Sequence, residues 1–380
     1  MTYFWFYVIL LVVMIVSCYH PLKGFQIGVN SLTGKKIMKV TEYGVQYVSI
    51  HRRSGSVVCS SGSPFFSPDW RNVTEFVEIP CGQCIGCRLD RSRTWANRCL
   101  LELEYHDSAY FVTLTYNDAH LPLHYYADPS TGEASGVSAS LCKRDFQLFM
   151  KRLRKAHPDD HIRFFACGEY GPSTFRPHYH AIIFGLHLDD LVPAGCNKMG
   201  QQYYISESLQ RCWSVLVDKS ACQESVTPLA GYDPLGFVSV ANVSWDTCAY
   251  VARYVTKKFT GNESYFYSDF NLVPPFSLMS RKPGIARQWY DDHPDLYDYE
   301  YICVKTPEAG KKFKPPKYYD MLFDLEYPEK MAEIKATRRR MAEQAKKLKL
   351  SMTTLSYLEL LQVEENTKLS QIKKLERKLC

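Results

Sequence analysis

Apolar positions along this chain follow two periods, and the switches between them mark out the elements. Alternation across Thr41–Ser49 reads as a strand, and Gly/Ser/Pro punctuation follows at 54–68. In Leu89–Tyr105, Trp95, Cys99 and Leu103 recur every four residues, which predicts a helix. Tyr110–Tyr116 is β-branched and aromatic, hence a buried strand, and a Gly/Ser-rich loop covers 127–139. Leu141–His157 predicts an amphipathic helix with Phe146, Phe149, Met150 and Leu153 on one side. Ile162–Cys167 and His178–Gly185 read as strands joined by a turn-rich loop with Gly168, Gly171 and Pro172. The run 186–234 is irregular around a helix near 206–217. A strand at Gly236–Val243 follows, then a helix at Trp245–Phe259 started by Ser244 or Asp246. Past 260 the chain is Pro/Tyr-rich, and from about 328 it reads as charged helix, with Leu369, Ile372, Leu375 and Leu379 at helical spacing. Hairpin-linked strands with helices between them predict an α+β, ferredoxin/RRM-like antiparallel sheet with flanking helices and a helical C-terminal tail.

The first residues break this pattern. Residues 3–16 are apolar without interruption, fewer than the roughly 20 that span a bilayer, and no Lys or Arg precedes them as in a secretory signal. Ile15-Val16-Ser17-Cys18 resembles a lipoprotein cleavage box. The favoured reading is that translation starts near Cys18 and that residues 1–17 are an artefact of start assignment; no stable membrane partner is expected.

Charge narrows the picture further. Residues 329–380 hold 13 Lys+Arg against 7 Asp+Glu, which accounts for the whole net charge of +6; the body balances at 33 of each sign. A uniformly basic coat is therefore excluded, and any nucleic-acid groove in the body must come from local patches such as Lys151–Lys155 or Lys257-Lys258. The tail's Arg338-Arg339-Arg340 reads most simply as a charged helix face. Of 14 cysteines, three cluster as Cys81-x-x-Cys84-x-x-Cys87 and the rest are scattered, which suits reduced thiols rather than a disulfide framework. Three thiolates in seven residues make a candidate structural Zn²⁺ site. A fourth ligand could come from Cys18, His20 or Cys99, and Cys18 completes the candidate set; the alternative is metal-free core thiols. Arg88, Arg91, Arg93 and Arg98 follow and suit either phosphates or a solvated helix face.

Three further features carry chemistry. In Arg176-Pro-His178-Tyr-His180 the two histidines are two apart on a strand and so face one side, a start for a divalent-metal site. For an isolated His-x-His, a hydrogen-bonded surface pair is the commoner explanation. Glu169, in the loop before that strand, can add a hard oxygen ligand that suits Mg²⁺ or Mn²⁺. In Tyr250-Val-Ala-Arg253-Tyr254-Val-Thr-Lys257-Lys258 the tyrosines sit one helical turn apart with Lys257 a turn beyond. A phenol with pKa near 10 needs a neighbouring cation or metal to act as a nucleophile, and either feature taken alone is better explained by core packing.

Taken together, His-x-His, Tyr-x-x-x-Tyr-x-x-Lys and the upstream acid resemble the HUH endonucleases, the rolling-circle replication initiators. The segments CYHPLKGF (18–25), PCGQCIGCRLDRS (80–92), FVTLTYNDAHLP (111–122), CGEYG (167–171), RPHYHAIIFG (176–185) and YVARYVTKK (250–258) are similar to the replication initiation proteins of gokushovirus-type Microviridae, small single-stranded DNA phages. The resemblance spans roughly 18–300, and in those relatives the chain begins close to the Cys-Tyr-His-Pro segment. It implies metal-dependent nicking and rejoining of single-stranded DNA at an origin through a 5′-phosphotyrosine. Tyr250 and Tyr254 would be the nucleophiles, Lys257 the charge-balancing group, and His178, His180 and Glu169 the ligands of Mg²⁺ or Mn²⁺. Arg176, Arg253 and Lys258 are candidate DNA contacts. It also implies work in the host bacterial cytoplasm with the host replication machinery, including a separate helicase, since the chain has no P-loop. The alternatives are a single-stranded nucleic-acid binder without catalysis and a metal-dependent hydrolase without a covalent intermediate. The expected organisation is a leader at 1–17, a Cys-cluster region at 18–105, a nuclease core at 106–260, a Pro/Tyr-rich extension at 261–327 and a charged helical tail at 328–380.

Overall fold

The computed structural model describes residues 18–379, apart from 129, 197–199, 201, 219–228, 245–246, 249–250, 253–263 and 306–309, with side chains as far as 373. The chain forms two compact units, one made of the residues up to Asp90 with Ala332–Cys380, the other of Arg91–Met331. No helix among the described residues is long and apolar enough to cross a membrane.

In the first unit, β1 (Leu22–Val29) pairs antiparallel with β2 (Lys36–Glu42) and β6 (Phe76–Ile79). A second sheet joins β3 (Tyr47–His51) to β4 (Val57–Ser60) and β5 (Trp70–Val73). The single strand expected over 41–49 is therefore two, because Tyr43–Gln46 form a turn. α1 (Ile85–Leu103) follows, and the division between the units falls within it.

The second unit is built on a seven-stranded antiparallel sheet. Its strands are β7 (Ala109–Thr115), β10 (Arg163–Tyr170), β11 (Pro177–Phe184), β12 (Val192–Cys196), β13 (Gln202–Ile205), β16 (Val238–Asn242) and β17 (Phe276–Met279). They lie in the order β12-β13-β16-β7-β11-β10-β17. Two hairpins stand beside the sheet, β8 (Leu123–Ala127) with β9 (Ala134–Ala139) and β14 (Ser214–Leu216) with β15 (Tyr232–Pro234). Alternation divides the sheet's side chains between two faces. Val112, Leu114, Tyr179, Ala181, Ile183 and Val240 point to one face, where α2 (Lys143–Ala156) lays Phe146, Phe149, Met150 and Leu153 on them together with Trp213. The other face carries Cys167, Glu169, Thr113, His178 and His180. Toward the far end of that face Trp95 of α1 stacks on Phe165, ring centroids 4.7 Å apart.

Several expectations change here. The loop foreseen at 127–139 contributes β9, and the irregular run 186–234 holds four short strands around α3 (Glu207–Cys212). The Pro/Tyr-rich stretch supplies β17, an edge strand of the main sheet. The arginines after the Cys cluster divide by role: Arg91 and Arg93 are exposed, whereas Arg98 is buried between the Trp95 and Tyr318 rings and donates to the Ile285 carbonyl. The charged tail is two helices, α7 (Pro328–Ser351) and α8 (Tyr357–Leu379), both following α6 (Lys317–Glu326) with α4 (Tyr265–Asp269) and α5 (Arg287–Asp292) earlier in the chain. Part of the tail's charge is paired within its unit: Lys346 reaches Glu78 at 2.5 Å and Lys349 reaches Glu364 at 2.6 Å.

One glycine fixes how closely the strands can approach. A Cβ on Gly236 would lie 2.1 Å from the Thr115 carbonyl oxygen and 2.6 Å from the Tyr116 Cα, both backbone atoms with no rotamer to yield. Gly236→Ala should therefore destabilise the second unit by about 3 kcal/mol, an overpacking cost at the upper end of the usual range, measured by denaturant unfolding.

Candidate functional site

The second unit brings His178, His180 and Glu169 together. β11 lies between β7 and β10, and its register sets Glu169 opposite His178 and Thr113 opposite His180. Directly opposed residues on neighbouring strands share a face, so the three side chains converge. Glu169 Oε1 lies 2.8 Å from His178 Nε2 and 3.1 Å from His180 Nε2. One ligand atom from each of the three falls within 4.8 Å of the others. Glu169 and His180 are buried, and His178 is partly open.

Glu169 is not in a loop, as Cys-Gly-Glu-Tyr-Gly suggested, but on β10, which runs three residues further than expected. Gly168 is a strand residue for a packing reason: a Cβ there would meet the Phe276 ring at 2.9 Å and the Leu141 side chain at 3.0 Å.

The hydrogen bonds around the histidines set their tautomers. His178 Nδ1 lies 3.1 Å from the Arg176 carbonyl, which can only accept, so Nδ1 carries the proton. A neutral His178 then turns the Nε2 lone pair toward a carboxylate oxygen. Two acceptors at that separation need a proton or a cation between them. His180 Nδ1 is held by Thr113 Oγ1 at 3.0 Å, and the ring stacks on Phe111, so its Nε2 also faces the carboxylate. Outer partners that orient the far ring nitrogens are what ligating histidines require. Burial would raise the Glu169 carboxyl, but the hydrogen bonds with His178 and His180 outweigh it and hold the group below the ordinary carboxylate range. Two imidazole nitrogens and one carboxylate oxygen form a donor set that fits a divalent ion with open positions left for substrate.

Sequence reasoning missed the residues that hold β11 in place, although the alternation pointed to one of them. Tyr179, between the histidines, faces the opposite side and is fully buried. Its hydroxyl donates to the Cys142 carbonyl at 2.8 Å, accepts from the Cys142 N–H at 2.9 Å, and meets the Tyr116 hydroxyl at 3.0 Å; Tyr116 in turn donates to Asp145 at 2.7 Å. This ties the histidine strand to the start of α2, and burial raises both phenols well above their ordinary pKa. Tyr179→Phe removes a hub that serves several buried groups and should cost about 2 kcal/mol of unfolding free energy, read from chemical denaturation.

Of the other expected residues, Arg176 is at the β10–β11 hairpin, bound to Asp118 at 2.6 Å and to the Tyr116 carbonyl at 2.9 Å. Tyr250, Arg253, Tyr254, Lys257 and Lys258 lie outside the described residues. Around them, Cys248, Val251 and Ala252 are helical and fully buried. Cys248 is hydrogen-bonded to Cys99 of α1, the helix whose Trp95 packs on the face that carries the histidines. In the first unit Cys18 joins Cys81, Cys84 and Cys87, while His20 instead bonds Glu365 at 2.6 Å.

A family model for the replication-associated protein ORF2 matches residues 109–259. The chain is 30% identical over 308 residues to the replication-associated protein ORF2 of Spiroplasma virus 4, covering 79% of this chain and 85% of that protein. It is 29% identical over 267 residues to the replication-associated protein VP4 of Bdellovibrio phage phiMH2K, covering 68% and 71%. With the replication-associated protein ORF4 of Chlamydia phage 1 it shares 27% over 210 residues, 52% of this chain and 43% of that one. No solved structure matches the chain.

Proposed function

The chain belongs to the family of replication-associated proteins of small phages, and from that premise we propose that it starts rolling-circle replication as an HUH-type, ferredoxin-like nicking and rejoining enzyme. The observation that carries this reading is the convergence of both Nε2 atoms of His178 and His180 on one Glu169 oxygen, on the sheet face left free by the α2 core. An Mg²⁺ or Mn²⁺ ion held by these three would supply positive charge to polarise the scissile phosphate.

The chain's own residues do the rest. One phenol of Tyr250 or Tyr254 gives up its proton and its oxygen attacks the phosphorus of an origin phosphodiester. The bond to the 3′-oxygen breaks, that oxygen takes a proton, and the 5′-phosphate stays on the tyrosine. Phosphodiester is exchanged for phosphodiester, so rejoining needs no nucleotide. The freed 3′-hydroxyl primes synthesis. After one round the second tyrosine attacks the regenerated junction and the new 3′-hydroxyl resolves the first link. Lys257, a helical turn past Tyr254, balances charge on the phosphate or the leaving oxygen. Arg176, Arg253 and Lys258 would contact the DNA backbone. Strand separation falls to a helicase of the host, in the bacterial cytoplasm.

The test is to incubate the full chain with end-labelled single-stranded oligonucleotides from the phage origin and Mn²⁺ or Mg²⁺, then run a denaturing gel. A protein-sized shift of the 5′-phosphate-side label is expected. Cleavage without a shift would instead support a hydrolase, and binding without cleavage a non-catalytic module.

A further inference from the structure

We infer that Cys18, Cys81, Cys84 and Cys87 bind one structural zinc ion that staples the start of β1 to the start of α1. The four sulfurs come from three separate places in the first unit: the residue just before β1, the turn after β6, and the first turn of α1. All four lie within 4.8 Å of one another, and Cys81 and Cys87 are 4.0 Å apart. None is in a disulfide, and a sulfur–sulfur bond of about 2.05 Å would need them far closer. A tetrahedral zinc with Zn–S of about 2.3 Å sets its sulfurs about 3.8 Å apart, so this spacing is that of a cage closing on an ion.

The backbone is arranged for thiolates. The N–H groups of Gln83 and Cys84 point to Cys81 Sγ at 3.4 and 3.3 Å, and that of Cys87 to Cys84 Sγ at 3.5 Å. Tyr19 donates to Cys84 Sγ at 3.3 Å and Cys81 to Cys18 Sγ at 3.2 Å. Neutral thiols accept hydrogen bonds weakly; five amides aimed at three sulfurs suit negative charge that a cation then neutralises. Gly82 makes the fold of the turn possible, with φ of 76°. Three of the sulfurs' residues are buried, and no carboxylate or imidazole is among the four ligands, a soft donor set that selects zinc over magnesium or manganese. The site is therefore chemically distinct from the Glu169–His178–His180 centre.

The experiment is metal analysis of the full chain after growth with zinc and gel filtration, followed by cobalt exchange. One zinc per chain is expected, with a thiolate-to-cobalt charge-transfer band and the visible spectrum of tetrahedral cobalt. Titration with a mercurial should release the metal as four thiols react. Cys84→Ser should lose most of the metal and the band. Cys59→Ser, a thiol of β4 outside the cluster, should keep both, as should His178→Ala/His180→Ala, which removes the other metal centre. Wild-type chain that is folded by circular dichroism but holds no zinc, or one iron instead, overturns the proposal. So does a zinc that disappears with the two histidines and not with Cys84.

Discussion

A chain with both Tyr250 and Tyr254 changed to phenylalanine is expected to form no covalent adduct with origin DNA, a loss of at least about 10⁴-fold, the scale that follows removal of a nucleophile. The substitution deletes two oxygen atoms and keeps the rings, so packing is preserved and the circular dichroism spectrum should match that of the parent. The single variants separate the roles. The tyrosine that attacks first is the one whose loss alone prevents the initial nick. Loss of the other should leave nicking intact and block release of a closed circle. Adduct that persists in the double variant, seen on a denaturing gel and located by peptide mass spectrometry, would assign the chemistry to another residue.

The second large effect is expected at the metal centre. His178→Ala/His180→Ala should lower nicking by about 10³-fold or more, since transition-state charge loses its compensation. Adding Mn²⁺ should not restore it. Thr113→Val, which only releases His180 Nδ1, should cost about 10- to 100-fold and be partly rescued by excess Mn²⁺, because it weakens ligand orientation rather than removing a ligand. Unchanged nicking in the double histidine variant, with a normal melting curve, would falsify the metal-centre reading.

What could be read beforehand follows the strength of local periodicity. His178 and His180 on one face, and Phe146, Phe149, Met150 and Leu153 on another, follow from the repeats of strand and helix, and the structure has them so. Glu169 was legible as a candidate but not as a strand residue, since Gly168 and Gly171 imitate a turn when the neighbouring Phe276 is unseen. β17 has only four residues after Pro274-Pro275, too few for a period to stand out, and its partner is more than a hundred residues earlier. β9 is written in Ala, Ser and Gly, which carry little strand preference of their own. The break between α7 and α8 was legible in principle. Ser356 and Glu359 have the spacing of a capping box, and the Glu359 carboxylate does accept from the Ser356 N–H at 2.8 Å. Cys18 stands apart from the cysteine run by more than sixty positions, so only the folded chain selects it over His20 and Cys99.

The placement of β17 bears on how this protein can be cut for study. A fragment trimmed to residues 109–259, the span that matches the family model, would leave the outer side of β10 without its neighbour. The exposed amides would lie along Phe165–Gly168, next to Glu169, and Ala166 would lose its cover from Leu278. Bare strand edges of this kind recruit other chains. Excision at the motif boundary should therefore give a sticky, self-associating product, and a usable minimal piece has to run at least through Met279.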